Sequence, residues 1–319
     1  MTLFRNALLT LSACETDSLP SDEPAGCDSV DPYALATLRA DLGYLASPAL
    51  DGRAPGTDGD IDARAFVAER FACIGLEGAG AEDDFDQPFT DAADNETGNV
   101  IGLLRGADAA LASELVVISA HIDHFGEGLL GANDNASGVT ALLAIATALS
   151  HDPEALGRTV VFAVFGSEES GFEGSEHFVT HASEGINPDD VVYNVNMDMV
   201  GSYSQAGIVD ALGTFDGTAG LTAVEENTDA YPSLDVSLGY GSGDSDNYTF
   251  CSRGVPYIFW WTQDEECYHE SCDTSGRIDY AGLSEIAQLT GDVTLALSQT
   301  STDLAAAVNP GQDGCGSEE

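Results

Sequence analysis

Apolar residues recur at helical spacing over Tyr33–Leu45 and again over Ile61–Ile74, where Asp60 or Asp62 stands near the expected start. Between them SPALDGRAPGTDGD is a Gly- and Pro-rich turn segment. Residues 77–97 are polar and read as loop, and Asn99–Leu104 reads as a strand. A regular alternation follows. Glu114–Ala120 is a continuous apolar strand, and Ala136–Leu149 is a helix apolar at Val139, Leu142, Leu143, Ala146 and Leu149. Thr159–Phe165 is a second apolar strand, Gly174–His181 a short helix and Val191–Met197 a third strand. Beyond a Gly-rich stretch, Pro256–Trp261 is a fourth, and Leu283–Val308 is a long helix with a weak break. Apolar strands alternating with helices predict an α/β fold: a single domain over 32–308 with a central, largely parallel mixed sheet flanked by helices. No internal repeat and no linker divides it.

Charge narrows the function classes. The 319 residues carry 9 Lys+Arg against 55 Asp+Glu, a formal net charge of −46, and every basic residue is Arg. Phosphate contacts need clustered cations, so nucleic acid is excluded as a partner, as is electrostatic docking on anionic lipid. No apolar run reaches the roughly 18–20 residues of a membrane span, which excludes a polytopic membrane protein. A solvated surface, adaptation to high salt and calcium sites built from surface carboxylates all fit this charge.

The ends carry separate signals. MTLFRNALLTLSA followed by Cys14 is similar to a bacterial lipoprotein signal, with Cys14 as the lipidated residue. Residues 15–31 then form a polar tether and 309–319 a polar tail. This predicts export, as a cell-envelope lipoprotein (periplasmic or surface) or a secreted protein, touching membrane only through the lipid. Setting Cys14 aside leaves Cys27, Cys73, Cys251, Cys267, Cys272 and Cys315, an even set suited to an oxidising compartment. Cys267 and Cys272 flank a short loop and are the best candidate pair. Closing so small a loop is worth about 2 kcal/mol on the chain-entropy estimate. For Cys73 and Cys251, buried free thiols are the competing expectation.

The chemistry collects where the strands stop. In open α/β sheets, ligand sites lie just beyond the carboxyl ends of the strands. The strand at 114–120 is followed by His121, Asp123 and, after a Gly-rich loop, Asp134. The next is followed by Glu168 and Glu169, the third by Asp198, and the fourth by a loop with Tyr268 and His269. Each has an ordinary explanation alone: a core histidine, a helix cap, a surface acidic pair, a turn residue. Together they form a His/carboxylate donor set suited to zinc, with manganese or cobalt as substitutes. Asp134, Glu169 and Asp198, with Glu168 beside them, balance two divalent ions better than one. His151, His177 and His181 read as surface or helix residues.

AHIDH and GANDNASG, FGSEESGFEGS, NVNMDMVG and CYHESCDT together resemble the co-catalytic dizinc aminopeptidases of metallopeptidase family 28, over about residues 32–305. DGRAPGTDGD and NVIG fit the same resemblance, and the Cys-Tyr-His segment is most similar to the secreted bacterial members. The resemblance implies that His121, Asp134 and Asp198 hold one zinc, and that Asp134, Glu169 and His269 hold the other, with Asp134 bridging. It further implies Asp123 orienting His121, Glu168 as general base, Tyr268 assisting the transition state and a Cys267–Cys272 disulfide. The implied partners are peptides with a free N-terminus, acted on by a monomer. Ser245-Asp246-Asn247 departs from the family's usual Ser-Asp-His or Ser-Asp-Tyr. Two alternatives share the frame. A carboxypeptidase-type exopeptidase would need Arg near the substrate carboxylate, for which Arg253 and Arg277 are nearest. A glutaminyl-peptide cyclotransferase would use one zinc.

Overall fold

The computed structural model describes residues 31–307 except Glu82, Asp83, Glu184 and Ser242. Cys14, the tether before residue 31 and the tail over 309–319 lie outside the described residues.

Its centre is four parallel strands in the order β5 (Thr159–Phe165), β4 (Leu115–His121), β6 (Val191–Met197), β9 (Tyr257–Trp261). Every residue of β4 and β5 is buried, because helices cover both faces of the sheet. β3 (Glu96–Leu104) runs antiparallel beside β5, with β1 (Glu77–Gly78) and β2 (Asp86–Thr90) paired to it. On the other side β7 (Val209–Leu212) runs antiparallel to β9 and carries β8 (Val236–Gly239). The sheet is therefore mixed, with a parallel core and antiparallel flanks, as expected. The flanks were not. β2 lies inside the segment read as loop, β3 begins three residues before Asn99, and β7 and β8 fall in the Gly-rich stretch. β2 and β8 are exposed or half-buried at most positions, and β7 is only four residues long with Asp210 inside it, so none has the long apolar run that marks the central four.

Alternate residues of the central strands feed two cores. Val116, Ile118, Ala120, Val160, Phe162 and Val164 face α1 (Leu35–Leu45), α2 (Asp58–Ile74), α3 (Gly138–Ser150) and α8 (Tyr280–Gln299). Val117, Val161, Ala163 and Phe165 pack with Phe178 of α4 (Glu173–Thr180) and Phe250 of α7 (Asn247–Cys251). α5 (Tyr203–Ala206) and α6 (Ala219–Thr228) complete the helices.

Caps explain where helix ends depart from the periodicity. α2 starts before Ile61 because the Thr57 hydroxyl accepts the Asp60 N–H, and it ends at Gly75, in the left-handed region at φ 85°. α8 starts at Tyr280, capped by the Asp279 carboxylate, and stops at Gln299 instead of reaching Val308. A short 3₁₀ turn over Leu304–Ala307 accounts for the apolar residues beyond the break. α3 begins two residues late because Ala132–Ser137 forms an irregular wide turn, with Asp134 and Asn135 out of helical conformation. Among the described residues no helix is long and apolar enough to cross a membrane.

Candidate metal centre

All the donors expected from the strand ends converge at the carboxyl edge of the parallel core. His121 is the last residue of β4 and is buried. The chain then passes Asp123 and His124 and turns at Gly131, whose φ is 58° and where a Cβ would lie 2.1 Å from the Asp134 carbonyl oxygen. That turn presents Asp134. The Asp273 carboxylate accepts the N–H groups of Asn133 and Asp134 at 2.8 and 3.0 Å. The Asn135 amide donates to Met197 O and accepts from Met199 N and Gly138 N, tying the turn to the end of β6. Arg53, fully buried, holds the loop's backbone by donating to the carbonyls of Ile122, Leu130 and Gly131, and also to Leu45 O. Glu168 and Glu169 follow β5, and Asp198 follows β6. Tyr268 and His269 arrive on the loop after β9, which the Cys267–Cys272 disulfide closes at a Cα separation of 5.4 Å. Cys73 and Cys251 are also disulfide-bonded, so neither is a free thiol.

The distances sort these side chains. His121 Nε2 lies 3.2 Å from Asp198 Oδ1 and 3.3 Å from Asp134 Oδ1. His269 Nε2 lies 3.2 Å from Asp134 Oδ2 and 3.3 Å from Glu169 Oε2. Two ligands about 2.0–2.1 Å from a tetrahedral ion stand about 3.3–3.4 Å apart. All four separations therefore suit donors around two ions that share Asp134. Among the described residues the donor groups that could hold a metal are His121–Asp134–Asp198 and His124–Asp134–Glu169. His124 is a surprise: its Nδ1 is 2.7 Å from Glu169 Oε1 and 3.8 Å from Asp134 Oδ2. The first of these is a hydrogen-bond distance, too short for two ligands of one ion.

Two observations test whether a cation fits. His121 Nδ1 donates to the Asp123 carbonyl at 3.1 Å, which leaves the Nε2 lone pair of the neutral ring facing two carboxylates. A cation between them makes that arrangement favourable. Asp134 Oδ2 is buried and makes no well-aligned hydrogen bond, with the His269 ring nitrogen close to it at 3.2 Å, as suits a metal-binding oxygen. Asp123 was expected to orient His121; the ring meets its carbonyl at 3.1 Å, while its carboxylate is 3.8 Å from the ring and accepts the N–H groups of Glu168 and Glu169 at 3.0 and 3.3 Å.

Without a cation the electrostatics are strained. Burial, followed by the Asp134 charge, pushes the Glu169 carboxyl up to about 8. Burial also lifts Glu168 well above the carboxylate range, with Asp198, Asp246 and Glu169 adding to it against His121. Burial would lower His121, but Asp198 and Glu168 outweigh it and the ring's pKa rises. Asp134 goes the other way: burial opposes ionisation, yet hydrogen bonding to His121 and His269 holds its pKa below the usual value. His124 is pulled down to about 4, by burial first, and so stays neutral. In the departing Ser245-Asp246-Asn247 segment all three residues are fully buried, and neither Asp246 oxygen has a hydrogen-bond partner.

A cavity of about 270 Å³ opens onto the cluster. Asp134, Glu168, Glu169, Asp198 and His269 line it, together with the apolar side chains of Met199, Phe259 and Trp261. Tyr268, 51% exposed, stacks on His269 at 3.7 Å between ring centroids and lines the cavity with its ring. His151, His177 and His181 lie away from this lining, as expected.

Sequence reasoning missed His124, Asp273, Asn135 and Arg53. Each lies inside a motif that was noticed, so the signal was present. HIDH places a second imidazole three residues after the first, and CYHESCDT carries, in Asp273, the carboxylate that clamps Asp134.

The sequence signature described as Peptidase family M28 matches residues 99–294. Aminopeptidase YwaD of Bacillus subtilis is 31% identical over 201 residues, which are 60% of this chain and 42% of that protein. The match thus spans less than half the length of this relative, and the same holds for an aminopeptidase of Pseudomonas aeruginosa, 29% identical, of which 44% is covered. Among solved structures, the zinc aminopeptidase BSAP of B. subtilis superposes with a TM-score of 0.69 at 16% identity, covering 87% of this chain and 98% of that one. The glutaminyl cyclase of Porphyromonas gingivalis does so with 0.67 at 18% identity, covering 83% and 98%. Two different reactions on one frame mean that these structures speak for the fold alone. With the signature covering more than half of its length, this chain belongs to peptidase family M28.

Proposed function

We propose that this domain is a zinc-dependent aminopeptidase that hydrolyses the N-terminal bond of peptides. The observation that carries the reading is the set of four histidine–carboxylate separations at 3.2–3.3 Å around a shared Asp134. His121, Asp134 and Asp198 hold one ion, and Asp134, Glu169 and His269 hold the other. When bound, the ions polarise the scissile carbonyl and acidify the attacking water.

The chain's own groups do the rest. Glu168 lines the cavity with its N–H anchored on Asp123, and as a carboxylate it can accept a proton from the nucleophile and return it to the leaving amine. The Tyr268 hydroxyl stays protonated, since burial and the nearby carboxylates raise its pKa, and it can donate to the developing oxyanion. The carboxylates that line the cavity attract a free α-ammonium, which favours release of the first residue. A carboxypeptidase would need a cation for the substrate's C-terminus, but no Arg lines the described cavity. Arg277 is paired with Asp264 and Glu266, and Arg253 with Glu176.

The disulfides at Cys267–Cys272, Cys73 and Cys251 support an oxidising compartment, consistent with export. The test is a panel of aminoacyl substrates, N-blocked peptides and N-terminal glutaminyl peptides, with products identified before and after chelation. Release of free N-terminal amino acids, abolished by N-blocking and by chelation and restored by zinc, is expected. Pyroglutamyl products or C-terminal trimming would overturn the reading.

A further inference from the structure

His124 is fully buried, carries no role in the reading above, and touches one of its proposed ligands. Its Nδ1 donates to Glu169 Oε1 at 2.7 Å, while Glu169 Oε2 faces His269 Nε2 at 3.3 Å. The two oxygens of one carboxylate thus meet two imidazoles at different distances. One distance is that of a hydrogen bond, and the other is that of two ligands about a common ion. We propose that His124 is a positioning residue for Glu169, holding Oε1 so that Oε2 is presented to the ion shared with Asp134 and His269, and that it is not itself a metal ligand. This rests on the two-ion reading.

Three features support it. First, Arg53 anchors the backbone on both sides of His124, donating to Ile122 O on one side and to Leu130 O and Gly131 O on the other, so the ring's reach is set by its own torsions, and these place Nδ1 on Glu169. Second, His124 Nε2 is buried with no hydrogen-bond partner. A proton there would be a buried, unpaired donor, whereas the tautomer with its proton on Nδ1 places its only N–H on Glu169. Third, the Glu169 main chain is already held by Asp123, which leaves the side-chain torsions as its remaining freedom. A hydrogen bond from a neutral ring restricts them without placing another charge among the crowded carboxylates.

The test is zinc titration of the metal-free full chain against a competing chelator, read as stoichiometry and dissociation constant. Wild type should bind two ions. His124→Leu should keep both, with the weaker site's constant raised about 10–100-fold, the usual cost of losing an outer contact to a ligand. In His124→Asn the amide nitrogen falls near the position of Nδ1 and can donate to Glu169, so affinity should return to within about threefold of wild type. An amide is a poor zinc ligand, so this recovery separates donation from ligation. His124→Leu losing one equivalent outright with no recovery in His124→Asn would make His124 a ligand and overturn the proposal. Wild-type affinity in His124→Leu would overturn it as well. His269→Ala is the control for the underlying reading: if it keeps both ions at wild-type affinity, the two-ion assignment fails, whatever His124 does.

Discussion

The Asp273 carboxylate accepts the backbone N–H of Asp134 at 3.0 Å, so the loop that delivers His269 also clamps the residue that His269 faces. Its other oxygen takes the Asn133 N–H. Asp273→Ala would leave both N–H groups buried and unpaired, at about 1–3 kcal/mol each. The expected loss is about 2–6 kcal/mol in urea unfolding, with weakened zinc binding. Asp273→Asn keeps one acceptor oxygen and should recover part of it. A stability equal to wild type in Asp273→Ala would show that the turn holds itself.

Glu168 and Glu169 are neighbours with the same chemistry, and both N–H groups point at Asp123. Their side chains are expected to do different work. Glu168→Gln should keep two bound ions and near-normal inhibitor affinity while kcat falls about 10²–10⁴-fold. Glu169→Gln should lower metal occupancy first. Metal analysis beside steady-state kinetics separates the two, and the reverse pattern would mean that the roles are exchanged.

Tyr268→Phe keeps the ring stacked on His269 and removes only the hydroxyl. Loss of one oxyanion donor typically costs about 10²–10³-fold in kcat. KM and zinc content should hardly change; an unaltered kcat would remove Tyr268 from the reaction.

Stability of the chelated, metal-free protein should fall as pH rises from about 6.5 to 8. Glu169 is raised to about 8 when folded, so the folded state holds a proton that the unfolded chain has already released. That contribution is complete below the unfolded carboxylate value and is lost as pH rises through about 8. His121, also raised, acts in the same direction. His124, depressed to about 4, adds stability with rising pH, but only up to the ordinary imidazole value near 6.5. Thermal melts in chelator across this window should slope downward, and Glu169→Gln should flatten the slope. Zinc should flatten it too, since binding displaces the protons.

Cys267 and Cys272 close a loop that holds both Tyr268 and His269. Replacing both by Ser should cost about 2 kcal/mol from loop closure alone. Because His269 rides on that loop, zinc affinity should fall as well, which equilibrium titration of the double variant would read. Unchanged affinity would mean that Asp273 alone positions the loop.

Much of the site was legible in the amino-acid sequence. β4, β5, β6 and β9 are apolar runs because both faces of a parallel sheet are covered, and such runs announce their own ends. His121, Asp134, Glu168, Glu169, Asp198 and His269 could therefore be found among the residues just beyond each run. Less of the periphery was legible. β2 and β8 are partly exposed and polar at several positions, and β7 is only four residues long with Asp210 inside it, so none shows the long apolar run of the central strands.

The sequence by itself determined which strands form the core, where they stop, and which donor residues stand at those stops, since local periodicity and composition encode all three. Tertiary structure alone decided how the donors are shared. Nothing local distinguishes His124 from His269, both imidazoles near a strand end; the difference lies in 2.7 Å against 3.3 Å to opposite oxygens of Glu169. Nothing local sends the Asp123 carboxylate to the N–H groups after β5, or Asp273 to the turn before α3. Those relationships join residues far apart in the chain, and they exist only once the parallel strands lie side by side and bring their ends to one edge.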